Sequence, residues 1–103
     1  MLTRIVKLTF KPENILKFEA LFEETKLYIQ KQEGCTSLAL LQDAMNPCIF
    51  FTYSKWESEA FLNQYRNSDF FKKVWSSTKL LFDDKPEAWS VHQKYTSDNS
   101  LKT

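Results

Sequence analysis

Cysteine, histidine and glycine are scarce in this chain: its 103 residues include two Cys, one His and one Gly. Two cysteines, Cys35 and Cys48, are too few for a disulfide framework. If a hairpin turns between Asp43 and Pro47, one thiol lies far down a strand and the other sits beside the turn. At a strand rise of about 3.3 Å per residue they stand roughly 20 Å apart, so free thiols are expected. With His92 alone and no Cys-x-x-Cys pair, a zinc site has almost no ligands to draw on, and no metal is expected. An excess of charge of one sign is missing too. Lys and Arg total 14 against 13 Asp and Glu, a net charge of +1 spread along the chain. That leaves no basic block to attract nucleic acid or an anionic membrane. No apolar run approaches the length that crosses a bilayer, and the alternating, charged start from Met1 to Lys7 is unlike a signal peptide. A soluble, cytoplasmic protein without nucleic-acid or membrane partners is the expectation.

Aromatic residues are what the chain has in excess: nine Phe, four Tyr and three Trp, within a hydrophobic content of 43%. This argues for one folded domain with a single core and against disorder. Leu2, Val6, Leu8 and Phe10 alternate with Thr3, Ile5, Lys7 and Thr9, predicting a strand with one thoroughly apolar face. Lys11-Pro12-Glu13-Asn14 breaks it, and Pro12 and Glu13 suit the first turn of a helix. From Ile15 through Phe18, Leu21, Phe22 and Thr25 to Ile29, apolar groups recur at helical steps. Gly34 follows the end of that stripe and is expected at the left-handed C′ position that closes the helix. Residues 36–42 and 48–54 read as strands around a turn at 43–47. A helix returns from about 57 to 65, is interrupted at Asn67-Ser68, and restarts on a Ser68-Asp69 cap to about 81. Phe71, Val74, Trp75, Thr78 and Leu81 form its apolar stripe. A turn at 83–86 leads to a last alternating strand over 88–95, and a polar tail, 96–103, is expected to fray.

The element order is β-α-β-β-α-β with the second helix in two pieces. It predicts an α+β, ferredoxin-like domain over residues 1–95, a four-stranded antiparallel sheet with its helices on one face. The other sheet face is also expected to carry apolar groups, from Ile5 with Trp89, Val91 and Tyr95 or their opposite-parity neighbours on the last strand. A face of that kind marks an interface, and a homodimer packing sheet on sheet about a twofold axis is expected.

The stretch from Trp56 to Phe71 carries the most specific signal. Trp56 ends a strand, an acidic-Ser-x-x-Ala segment (Glu57 to Ala60) opens a helix, and the Ser68-Asp69-Phe70 step restarts it. In this order of parts the sequence resembles the antibiotic biosynthesis monooxygenase family of dimeric α+β barrels, over roughly Met1 to Tyr95. The resemblance implies a small cavity between helices and sheet. Some members of that family oxidise electron-rich quinols or polyketide aromatics there with dioxygen and neither metal nor flavin, so no cofactor is expected. Haem-degrading members use a strand-one Asn, a Trp late in the first part of helix two, and a haem-ligating His. Val6, Tyr65 and Trp75 stand at those places here, which disfavours haem held through that ligand. His92 lies on a different element and does not align as a substitute. Many quinol-oxidising members carry a His just before the Ser step, where this chain again has Tyr65. A phenol with a pKa near 10 is a poor base at neutral pH but a usable hydrogen-bond donor.

Tyr65 is therefore the candidate catalytic residue. Trp56, Tyr65, Phe71, Trp75 and His92 are the candidate ligand contacts. Each has a plainer reading: Trp56 as a plug between strand and helix, Phe71 and Trp75 as core at helical spacing, His92 as an interfacial histidine. Three functions compete. One is a cofactor-independent monooxygenase for a small aromatic such as a quinol or polyketide-like ring. The second is a non-catalytic dimeric scaffold or binder of a small apolar ligand. The third is an RNA-recognition module stacking bases on Phe51 and Tyr53. Against the third, Asn46-Pro47-Cys48 stands where Lys/Arg-Gly-aromatic should begin that module's strand.

Overall fold

The alternating N-terminal segment forms strand β1, Leu2–Thr9. In the computed structural model, which describes residues 1–97, a 3-10 turn at Pro12–Asn14 leads into helix α1, Ile15–Gln30. A hairpin of β2 (Cys35–Gln42) and β3 (Ile49–Trp56) follows, then α2 (Glu59–Arg66), α3 (Asp69–Lys79) and β4 (Glu87–His92). The strands form one antiparallel sheet of four in the order β2-β3-β1-β4. This is the expected split βαβ, ferredoxin-like α+β arrangement.

Several boundaries differ from the sequence reading for local reasons. Proline at the first helical position sets a 3-10 turn before the α-helix proper begins. Strand β3 runs on to Trp56 because Trp56 pairs with Leu2 on one side and with Cys35 on the other. Helix α2 starts two residues later than expected, at the residue after Ser58, whose hydroxyl accepts a hydrogen bond from the Phe61 amide. Strand β4 ends at His92, so Tyr95 lies beyond the sheet, 83% exposed, and is not part of its apolar outer face. Of the tail expected to fray, residues 98–103 lie outside the described residues.

Gly34 is left-handed, with φ of +83°, but it does not close α1 as expected. The helix ends at Gln30 with Lys31 as its cap, and Gly34 sits three residues further on, in a turn where the Cys35 amide donates to the Gln32 carbonyl. A Cβ at this position would overlap the Cβ and ring of Phe61 on α2. The Gly34 carbonyl accepts a hydrogen bond from the Glu57 amide at 2.8 Å. The lone glycine thus lets the end of the first βα unit press directly against the start of the second helix.

The helix-facing side of the sheet is set by register. Leu2, Arg4, Val6 and Leu8 of β1 lie opposite Trp56, Ser54, Thr52 and Phe50 of β3. Large apolar groups occupy both ends of these strands. At one end Leu8, Phe10, Phe18 and Phe50 form a buried cluster, with the Phe10 and Phe18 rings stacked at 4.2 Å. At the other end Leu2, Trp56 and Leu62 form a second. The middle rows carry Arg4, Ser54, Thr52 and, on β4, Ala88 and Ser90. Smaller and polar residues there leave the space beneath the helices unfilled.

Because both the positive φ and the Phe61 contact oppose a side chain at position 34, Gly34→Ala should destabilise the fold by about 2–4 kcal/mol. Urea unfolding checks this. Combining it with Phe61→Ala should give a loss smaller than the sum of the two single losses, since the truncated ring no longer meets the added methyl.

Candidate functional site

Trp56 closes one end of the site. Its side chain is buried and its indole N–H donates to Ser54 Oγ at 3.0 Å. These residues are two apart on one strand and so share a face, which lets the hydroxyl satisfy a donor that burial would otherwise orphan. The indole stacks on the Tyr65 ring, with centroids at 5.3 Å and planes inclined by 22°. Tyr65 in turn meets Phe71 edge-on at 5.1 Å, and Phe71 stacks on Trp75 at 6.0 Å. The structure therefore joins four of the expected contacts, Trp56, Tyr65, Phe71 and Trp75, into one aromatic chain. His92 lies apart from it, exposed on β4 opposite Leu2.

The break between α2 and α3 aims this chain inward. Ser68 Oγ donates to the Tyr65 carbonyl at 2.6 Å and accepts from the Phe71 amide at 3.1 Å. One hydroxyl thus ties the last turn of α2 to the first turn of α3 and fixes the angle at which Tyr65 and Phe71 meet.

Between helices and sheet lies a cavity of about 270 Å³. Its floor is the middle of the sheet: Arg4, Val6, Leu38, Thr52, Ser54 and Ala88. Helix α1 contributes Phe18, Leu21, Phe22, Thr25 and Ile29 to its roof. The walls are Leu62, Tyr65 and Arg66 of α2 with Phe71, Val74 and Trp75 of α3. Its size suits a ligand of one or two rings, just below the usual range of about 300–1,000 Å³ for small-molecule sites.

Burial pushes the Tyr65 phenol well above its ordinary pKa, and the nearby Cys35 raises it further. Tyr65 is therefore protonated throughout the physiological range, a state in which a phenol can donate a hydrogen bond but cannot serve as a base. No hydrogen-bond partner for its hydroxyl is found among the described residues. Both cysteines are free, and burial raises the Cys35 thiol pKa as well. Among the described residues no group of three or more His, Cys, Asp or Glu side chains is placed to hold a metal ion, and no helix is long and apolar enough to cross a membrane.

Periodicity alone does not find Arg4, Thr52, Ser54 or Arg66. For Arg4 a signal does exist: a cation interrupts the apolar parity of Leu2, Val6 and Leu8. Thr52 and Ser54 are similarly visible as small polar residues between Phe50 and Trp56 on the same face.

A split βαβ sheet with an aromatic-walled cavity under a broken second helix defines a ferredoxin-like α+β domain. The profile of the antibiotic biosynthesis monooxygenase family matches residues 1–75, and the chain belongs to that family. A conserved protein of Methanosarcina mazei Go1 is 28% identical, with a TM-score of 0.85 over 91% of this chain and 94% of its own. The fold is also that of SnoaB, a cofactor-independent oxygenase from Streptomyces nogalater: 16% identity, TM-score 0.83, covering 92% of this chain and 94% of that one. A structure described as an antibiotic biosynthesis monooxygenase aligns at 19% identity and TM-score 0.84, over 90% and 98% of the two chains. No curated protein matches the sequence.

The raised phenol pKa has a consequence for stability. In the unfolded chain Tyr65 ionises near pH 10, while in the folded protein it resists ionisation. The burial of the neutral phenol therefore contributes fully below pH 10 and is lost as pH rises from there toward the folded pKa. Between pH 9 and 11 the stability of the native protein should fall more steeply than that of Tyr65→Phe, as read from urea midpoints at each pH.

Proposed function

We propose that this protein is an oxygenase of its family acting on a small aromatic held in the helix–sheet cavity. The observation that carries the reading is the convergence of membership in this family with an open aromatic-walled cavity whose lining includes Tyr65, a phenol that stays protonated at neutral pH. The aromatic chain of Trp56, Tyr65, Phe71 and Trp75 forms one wall against which a planar ring would lie, and Tyr65 would donate its hydroxyl to an oxygen on that ring.

In such a reaction the substrate itself reduces dioxygen. A quinol gives up four electrons, two as it becomes a quinone and two as one ring C–H becomes C–OH, one atom of dioxygen entering the ring and the other leaving as water. An activated ring CH₂ gives up four electrons and becomes a carbonyl, one oxygen atom entering the product and the other leaving as water. The protein's part is to orient the ring, exclude water and stabilise the anion from which the first electron departs. Tyr65 supplies that hydrogen bond. The alternative, a non-catalytic scaffold with a filled core, is disfavoured by the 270 Å³ left open. A non-catalytic binder of a small apolar ligand would use the same space.

An oxygen electrode with a panel of one- and two-ring quinols tests the reading. Uptake is expected with at least one, and Tyr65→Phe should lower kcat tenfold or more, in line with the loss of a single anion-stabilising donor. Equal turnover by the variant would remove the role given to Tyr65, and no uptake with any quinol would contradict the oxygenase assignment.

The outer sheet face supports a further part of the proposal, a sheet-to-sheet homodimer. Ile5 lies between Tyr53 and Trp89 in register, and Trp89, Val91 and Leu41 are 45%, 39% and 49% exposed. An apolar face of this kind is unusual on a monomer. Sedimentation analysis should find a dimer, and Trp89→Glu should shift it to monomer.

A further inference from the structure

The charges of the cavity are one-sided. Arg4 stands on its floor and Arg66, at the last turn of α2, on its wall, while no Asp, Glu, Lys or His lines it. Ion pairs among the described residues join Lys7 to Glu87 and Lys26 to Glu23, and neither arginine has one. The Arg4 guanidinium is pushed below its ordinary pKa, first by burial and then by the positive charge of Arg66. It is charged at any physiological pH regardless.

Taking a guanidinium partly out of water is costly, and proteins normally offset the cost with a carboxylate. Here the partner is a single hydroxyl: Arg4 Nη1 donates to Ser90 Oγ at 2.9 Å. A guanidinium carries five N–H donors, and those of Arg4 beyond the Ser90 bond have no protein acceptor among the described residues and are open to solvent, available to a ligand anion. Arg66 and Ala88 are the exposed residues of the lining, so the cavity reaches solvent beside them. The remaining wall is mainly apolar and aromatic. The space therefore has a cationic, donor-rich end and an apolar end. A planar guanidinium fork matches a carboxylate in two parallel hydrogen bonds. A phosphate, doubly charged and strongly hydrated, would need more donors than this mainly apolar wall supplies.

We propose that the cavity takes an aromatic carboxylate, its acid group held by Arg4 with Arg66 at the mouth and its ring packed among Val6, Phe22, Leu38 and Trp75. This rests on the reading of the cavity as the substrate site and names the class of substrate it selects. Arg66 also draws the anion in, since an exposed cation at the mouth of a low-dielectric cleft raises the local concentration of anions.

Isothermal titration calorimetry with 2-naphthoate and its neutral isostere 2-naphthamide tests the proposal. The acid should bind at least tenfold more tightly than the amide. Arg4→Gln should abolish that preference, and Arg66→Gln should reduce it. Equal affinities, a preference undiminished in both variants, or binding of neither probe would overturn the proposal. If Arg4→Gln loses its native circular dichroism, Arg66→Gln decides, because it alters an exposed side chain: a reduced preference supports the proposal and an unchanged one overturns it. Oxygen uptake with neutral quinols, read on the same samples, separates this from the assignment above. Acid preference without uptake with any quinol keeps this proposal and defeats the oxygenase. Uptake without acid preference does the reverse.

Discussion

The stack of Trp56 on Tyr65 holds the second helical segment to the sheet, and the site depends on it. Trp56 is 1% exposed, its N–H is satisfied by Ser54 on its own strand, and its backbone pairs on both sides. An indole fixed in position, ring and donor alike, is a rigid surface for Tyr65 to lie on. Tyr65 then sets where α2 ends, and Ser68 bonds to both the Tyr65 carbonyl and the Phe71 amide, so α3 leaves at an angle that the same residue determines. From one anchored ring follow the direction of α3, the placing of Phe71 and Trp75, and the wall of the cavity.

The cavity itself follows from side-chain size. Two apolar clusters pin the helices at the two ends of the central strands, as bulky as Phe10, Phe18 and Phe50 at one end and Trp56 with Leu62 at the other. Between them the sheet presents Thr52, Ser54 and Ala88, which are too short to meet a helix held at the height the ends impose. Close packing would normally remove such a void, because each missing contact forfeits dispersion energy. Its persistence, together with a cation on the floor and a protonated phenol on the wall, fits a space shaped for a ligand better than an imperfect core.

Much of this was legible in the sequence, and the reasons differ from residue to residue. Leu2, Val6, Leu8 and Phe10 declare β1 by parity, and Ser68-Asp69 declares the helix restart by capping chemistry, because both signals are local. The aromatic chain from Trp56 to Trp75 could be anticipated as a set because resemblance to a family aligns those positions. Arg4 escaped because periodicity counts apolar residues and passes over the cation that shares their parity. Its meaning depends on Ser90 and Arg66, which lie 86 and 62 positions away along the chain and are joined to it by the fold. Gly34 was legible as left-handed but not as a contact point, since the constraint comes from Phe61 on another element. Tyr95 fell outside the sheet because β4 stops where β1 begins: His92 is already opposite Leu2.

On the proposed function, the space beneath the helices holds a ligand and is not a packing defect. Methyl-labelled NMR during titration with 2-naphthol addresses it directly. Ring-current shifts should appear at the methyls of Val6, Leu38 and Val74, which line the cavity, and leave Leu16 and Leu80, both exposed, unmoved. Shifts confined to the outer sheet face at Ile5 and Val91, or none at saturating probe, would contradict the account.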